Sequence, residues 1–186
     1  MQEVIKLSLC RICKSKNLKE VISLGSTPLA NSFLTKKLLD SPEQFFPLEV
    51  RFCLHCGHLQ LGHAVSSDLL FKNYVYASST SPVFVAHFDE YAKSVYKRFN
   101  LNKKSLVIDI GSNDGILLKP FKKLGLKVLG IDPAENIAKK ATKEGIKTLP
   151  FYFDQKVAAD VAEKYGKADI ITANNVFAHV YDIDEL

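Results

Sequence analysis

Four cysteines in two matched pairs constrain this chain more than any other feature. They read Cys10-Arg11-Ile12-Cys13 and Cys53-Leu54-His55-Cys56, and there is no other cysteine in the sequence. A spacing of two residues lets both thiolates of one tight turn face one ion. Two such turns facing each other give a tetrahedral S4 set, which suits zinc. Cys10, Cys13, Cys53 and Cys56 are therefore the expected zinc ligands. With every position filled by sulfur there is no place for a reactive water, so the metal is expected to be structural. Its task would be to fold a segment too small to build its own core. Residues 14–52 separate the pairs, more than the roughly 15–20 residues usual in such sites. An inserted hairpin or loop absorbs the difference. His55, His58 and His63 lie nearby and could replace one cysteine, but nothing requires it. Two disulfides or a redox pair are the alternatives. A redox Cys-x-x-Cys sits at the start of a helix in a βαβ setting, whereas Lys14-Ser15-Lys16-Asn17 reads as a turn.

No apolar run approaches the roughly 20 residues needed to cross a bilayer. Met1–Leu9 lacks the long apolar stretch of a secretory signal. A cytoplasmic location is expected, and in a reducing compartment four cysteines favour metal over disulfides. The net charge of +5 comes almost wholly from scattered lysines, with Arg11, Arg51 and Arg98 the only arginines. A nucleic-acid surface would cluster its charge and use arginine for bidentate contacts. The pattern reads instead as a solvated surface whose mild positive field suits an anionic small molecule, such as a nucleotide diphosphate. Neither a nucleic-acid nor a membrane partner is expected.

Residues 1–70 hold the cysteines and read as a loop-rich zinc-binding module. Short strand-like runs at Lys19–Leu24, Leu48–Cys53 and His58–Leu61 are separated by turn signals at Gly25-Ser26-Thr27-Pro28 and Asp40-Ser41-Pro42. Residues 71–104 form a connector and a packing helix. In that helix Val85, Phe88, Ala92, Val95 and Phe99 recur at helical steps between Val83 and Phe99. Residues 105–186 alternate strand and helix: strands at Leu106–Ile110, Lys127–Ile131, Ile146–Thr148 and Asp169–Ala173, helices at Gly115–Leu124, Ala134–Glu144 and Asp154–Tyr165. That alternation predicts an α/β fold with a parallel, doubly wound sheet of the Rossmann-like kind.

The loop after the first of these strands, Asp109-Ile110-Gly111-Ser112-Asn113-Asp114-Gly115, lies where a cofactor-binding turn belongs. Its glycines allow a tight turn and close approach of a ligand. Asn113 stands where many such loops carry glycine, and asparagine tolerates a left-handed backbone. The following helix is expected to offer free backbone N–H groups to an anion. Asp132 ends the next strand, about 20 positions after Gly111, where an acid can accept hydrogen bonds from both ribose hydroxyls. The loop lacks the G-x-G-x-x-G register of a dinucleotide site. An S-adenosylmethionine loop needs only to hold a carboxylate, an ammonium and a ribose, and Asp109 can serve the ammonium. S-adenosylmethionine is thus preferred over NAD. Beyond the fourth strand, Asn174 and Asn175 can bond cofactor or substrate, and His179 could act as a base or a substrate ligand.

These residues resemble the sugar C-methyltransferases. The resemblance rests on the paired cysteines, Leu24-Gly25-x-x-Pro28-Leu29-Ala30-Asn31, Tyr74-Val75-Tyr76-x-Ser78-Ser79, Ile110-Gly111-Ser112-Asn113-Asp114-Gly115, and Ala173-Asn174-Asn175-Val176-Phe177-Ala178-His179-Val180. It runs through essentially the whole chain. It implies transfer of a methyl group from S-adenosylmethionine to a carbon of a nucleotide-linked keto-deoxysugar, in deoxysugar biosynthesis. The carbon beside the carbonyl is deprotonated and the enolate attacks the methyl group. By the resemblance Gly111, Asn113, Gly115, Asp132 and Asn174 line the cofactor, while Tyr76 and His179 lie near the reacting sugar. The family carries its best candidate base, a histidine after a glutamate, further along, and then a C-terminal domain. Residues 105–186 would then be the first part of the cofactor domain, with the fourth strand at an edge. The chain alone is expected to bind zinc and to show little or no methyl transfer, unless another chain completes the fold. Two alternatives stand beside this one: a non-catalytic zinc- and cofactor-binding module completed by a partner chain, and, less favoured, an NAD-dependent sugar enzyme.

Overall fold

A computed structural model describes residues 3–72, 74–75 and 78–186. The chain divides into two compact units, residues 1–71 and 72–186.

The first unit is antiparallel. Strand β1 (Val4–Lys6) pairs with β5 (His63–Val65), placing Val4 opposite Val65 and Lys6 opposite His63. Strands β2 (Leu18–Thr27), β3 (Phe46–Cys53) and β4 (Leu59–Leu61) form a three-stranded sheet in that order. The pairing of β2 with β3 runs from Leu18 opposite Cys53 to Thr27 opposite Phe46. The first unit ends in a short helix, α1 (Ser67–Phe71). The turn expected at Gly25-Ser26-Thr27 is a bulge instead: the register shifts between Ser23 and Ser26, and Gly25 takes φ 73°. Glycine supplies the left-handed residue that such a bulge needs, and the strand carries on beyond it.

The second unit opens with α2 (Pro82–Arg98), where the Ser81 side chain accepts from the Phe84 N–H and Pro82 occupies the first turn. The alternating run follows: β6 (Leu106–Ile110), α3 (Leu118–Lys123), β7 (Lys127–Ile131), α4 (Glu135–Lys143), β8 (Thr148–Leu149), α5 (Gln155–Tyr165) and β9 (Ile170–Thr172). The four strands form one parallel sheet in the order β8-β7-β6-β9. Side chains alternate across β6. Val107 joins Ala92 of α2, Leu117 just before α3, Phe121 of α3 and Ala141 of α4 on one face. Leu106 and Ile108 join Val161 of α5 on the other. The fold is α/β and doubly wound, as the alternation predicts.

Helix α3 begins at Leu118, three residues later than expected, because Gly115 takes φ 76° and cannot start a right-handed helix. Strand β8 begins two residues later than expected. The Ile146 N–H closes the end of α4 by donating to the Ala141 carbonyl, and its side chain is buried. Among the described residues no helix is long and apolar enough to cross a membrane.

Candidate functional site

The two cysteine turns of the first unit are built alike. In each, the first cysteine's N–H reaches the carbonyl five residues on: Cys10 to Ser15 and Cys53 to His58, both at 2.8 Å. The N–H four residues on returns to the cysteine carbonyl, from Lys14 to Cys10 and from Gly57 to Cys53, both at 2.9 Å. Lys14 and Gly57 are left-handed at φ 60° and 77°. The turns are held together by the Leu54 N–H donating to the Asn17 carbonyl at 3.0 Å. Gln60, buried in β4, accepts from the Arg11 N–H and donates to the Leu9 carbonyl.

This scaffold brings all four sulfurs within 4.8 Å of one another. Cys10 and Cys56 are 3.6 Å apart, and Cys13 and Cys53 3.5 Å. A disulfide bond is only about 2.05 Å long, and all four cysteines are free. Zn–S bonds of about 2.3 Å put the corners of a tetrahedron about 3.8 Å apart, so the donor set fits that ion. The Cys53 thiol is lowered to about 6, chiefly by the backbone N–H of Cys56, against the burial that raises it, with help from that of His55. Cys13 is pushed up to about 12: the Ser15 N–H lowers it, but burial and the sulfurs of Cys56, Cys53 and Cys10 outweigh that. Four sulfurs this close cannot all ionise unless a cation stands among them. Among the described residues no histidine belongs to the cluster.

The second site lies in the other unit, where the strand order reverses. The chain steps outward from β6 to β7 and β8, then returns to place β9 on the far side of β6. Ligands of open α/β sheets bind at the strand C-termini at such a reversal. Asp109, opposite Thr172 in the sheet, is buried at this point and accepts from the Thr172 hydroxyl at 2.6 Å. Burial lifts its carboxyl to about 7. The Thr172 bond opposes that shift and the Asp132 charge adds to it. Asp132, at the end of β7, is also raised by burial, against the N–H groups of Ala134 and Asn113. Those two N–H groups bind one carboxylate oxygen each, at 2.9 and 2.8 Å. Each oxygen retains a lone pair that could accept a hydroxyl.

Between the two acids runs the loop. Gly111 is left-handed at φ 65°, and a Cβ there would meet the Val176 side chain at 2.4 Å. Gly115 packs against Ile146, whose side chain a Cβ would meet at 2.9 Å. Asn113 is left-handed at φ 49°, the conformation its side chain tolerates. The N–H groups expected to serve an anion are partly spent inside the turn: Asn113 on Asp132, Gly115 on the Ser112 carbonyl, Asp114 on the Asn113 side chain. Asn174 lies just past β9, and its buried side-chain nitrogen has no partner among the described residues. Asn175, at φ 56°, and His179, on a one-turn 3-10 helix (Phe177–His179), are exposed at the same end. Tyr76 lies outside the described residues. Buried acids at two adjacent strand ends, glycine-lined backbone between them and an unpartnered amide donor opposite are chemistry for a ligand carrying hydroxyls and a cationic amine.

Three residues of this neighbourhood escape sequence reasoning. Thr172 fixes Asp109. Asp114 is fully buried and accepts from both the N–H and the hydroxyl of Ser79. Asp114 and Ser79 both stand inside the quoted motifs, so the signal was present, but the motifs assign them no task.

Fold and site together define a nucleotide-type α/β domain joined to a four-cysteine metal unit. The chain belongs to the methyltransferase-domain family: residues 84–186 match the family described as "Methyltransferase domain". Residues 10–71 match the family described as "Putative zinc binding domain". Over its whole length the chain is 34% identical to C-methyltransferase NovU of Streptomyces niveus, covering 44% of that protein. It is 38% identical over 96 residues to a ubiquinone biosynthesis O-methyltransferase of Rhodopseudomonas palustris (strain BisA53), across 47% of this chain and 37% of that one. Among solved structures, magnesium protoporphyrin IX methyltransferase from Synechocystis PCC 6803 with bound SAM is similar at a TM-score of 0.37 and 21% identity, over 50% of this chain and 46% of that one. The chain spans less than half the length of the curated relatives it matches.

Proposed function

We propose that these residues are the metal-binding and cofactor-binding portion of an S-adenosylmethionine-dependent C-methyltransferase acting on a nucleotide-linked keto-deoxysugar. The observation that carries this reading is the pair of buried carboxylates, Asp109 and Asp132, at the ends of adjacent strands with the Gly111 turn between them. Asp132 would take the ribose hydroxyls on its remaining lone pairs. Asp109, ionised by an approaching cation, would face the amino group, and Asn174 and Asn175 would complete the wall. Gly111, Asn113 and Gly115 keep the backbone close enough to line the ligand. The whole-length similarity to a protein named as a C-methyltransferase supports carbon as the methyl acceptor.

When bound, the cofactor supplies an electrophilic methyl group. The acceptor would be the carbon beside the sugar carbonyl, once it has given up its proton to a base. Tyr76 and His179 are proposed to face the sugar. The deprotonating base is assigned to the remainder of the whole protein, so residues 1–186 alone are proposed to bind cofactor with little turnover. The four cysteines hold a structural zinc ion and stay outside the chemistry. Residues 1–70, 71–104 and 105–186 are the proposed functional divisions.

Calorimetry on the chain tests the reading. S-adenosylhomocysteine is expected to bind with a Kd in the micromolar range, about −8 kcal/mol, and Asp132→Ala to abolish detectable binding. Tighter binding of NAD than of S-adenosylhomocysteine would sink the proposal in favour of a dehydrogenase.

A further inference from the structure

Two backbone stretches far apart in sequence are tied at the cofactor loop. The Ser78 N–H donates to the Asn113 side-chain oxygen at 3.0 Å. The Ser79 N–H donates to Asp114 Oδ2 at 3.2 Å, and the Ser79 hydroxyl donates to the same oxygen. Asp114 Oδ1 is buried with no partner among the described residues. Among the described residues, both hydrogen bonds to this buried carboxylate come from one serine. A second anchor lies just upstream, where Asn136 of α4 donates to the Tyr74 carbonyl at 2.7 Å.

The loop side of the tie is not independent of the ligand end. The Asn113 N–H donates to Asp132 Oδ2, and the Asn113 side chain then receives Ser78. Asp114 is the next residue. A ligand that engages the Asp132 carboxylate therefore acts one peptide away from the groups that hold residues 78–79. Coupling between two such sites is reciprocal: whatever orders one strengthens the other by the same factor.

We infer that Ser79 and Asp114 form a positioning clasp that couples occupancy of the cofactor end of the sheet to the hold on residues 78–80. The inference rests on the proposed cofactor reading. Neither residue touches the ligand; both act through the loop and the connector. A tie of purely structural value would hold the connector equally with and without ligand.

The test combines calorimetry with amide hydrogen exchange on the chain, using S-adenosylhomocysteine as the probe. In the wild type, ligand is expected to slow exchange at residues 78–80. Ser79→Ala should weaken the Kd by about 5- to 30-fold and abolish the ligand-dependent protection. Ser79→Thr, which keeps the hydroxyl, should stay within about 2-fold of wild type. Asp114→Asn should shift the Kd in the same direction as Ser79→Ala. Because Asp114 is fully buried, thermal melts identify any loss of fold, and the partly exposed Ser79 variants carry the test if Asp114→Asn is unstable. Unchanged Kd in Ser79→Ala, or protection at residues 78–80 that ignores the ligand, overturns the clasp and leaves the cofactor reading standing. A wild type that binds no S-adenosylhomocysteine overturns both.

Discussion

Residues 1–71 and 72–186 are held together by different physics. The second unit buries large side chains on both faces of its sheet, with Leu117, Leu118, Phe121, Leu129 and Ile131 essentially inaccessible. The first unit has almost no such interior. Among the described residues its buried apolar groups are Cys10, Phe46 and Cys53, while Val21, Leu24, Phe33 and Leu39 stand in solvent. Strand β2 is exposed along nearly its whole length. Apolar burial stabilises at about 25 cal/mol per Å², and a unit with so little of it needs another source of cohesion. The cysteine cluster is that source, because an ion bound only by the folded arrangement converts binding energy into folding energy. The contrast teaches that the same chain uses a packed core where a ligand end must be rigid, and a metal where a short segment must merely hold its shape.

The comparison can be broken most directly at the metal. Cys53→Ser, or chelation of the wild type, is expected to reduce bound zinc from about one ion per chain to a small fraction. Exchange protection across β2, β3 and β4 should collapse while that of β6 and β7 persists. Metal analysis with site-resolved hydrogen exchange reads both, and retained protection in β3 after zinc loss would refute the contrast.

The converse lesion is Phe121→Ala. It should destabilise the second unit by about 3–5 kcal/mol and leave the zinc content unchanged, as read by denaturant melts alongside metal analysis.

Acid–base behaviour sharpens the comparison further. Burial holds Asp109 at about 7 in the folded state, well above its unfolded value near 4. Between those values the folded chain binds more protons than the unfolded one. Stability from this group is therefore complete below about pH 4 and is lost as pH rises through 7, by up to about 4 kcal/mol. Asp109→Asn should flatten that dependence in urea melts of the second unit. A slope that survives the substitution assigns it to another group.

The smallest effect belongs to a helix end. Asp154 caps α5 by accepting the Val157 N–H at 2.7 Å, and Asp154→Ala should cost about 1 kcal/mol, measured as a shift in thermal midpoint confined to the second unit.

Much of the second unit was legible because its elements are local. Leu106–Ile110 and Lys127–Ile131 are apolar runs between turn signals, and both are strands at those bounds. The helix after the loop starts later than the pattern predicts because the pattern does not reveal that Gly115 sits at positive φ. In the first unit, the sequence pattern does not predict β1 and β5. Each is three residues long, and Val4 finds Val65 only across most of the unit. The Gly25 turn signal was real, but the continuing partner strand made it a bulge.

The sequence by itself displayed the chemical groups: four thiols at metal spacing, acids at Asp109 and Asp132, and at Asn113 a residue that tolerates a left-handed backbone. These follow from residue chemistry and short-range spacing, which a linear chain displays. Only the tertiary structure decided which groups meet. It brought the two cysteine turns together with their sulfurs 3.5–3.6 Å apart in pairs across them, placed Thr172 on Asp109, and closed Ser79 onto Asp114. Such pairings depend on strand order and on contacts between residues far apart in the chain, whose energies no local pattern encodes.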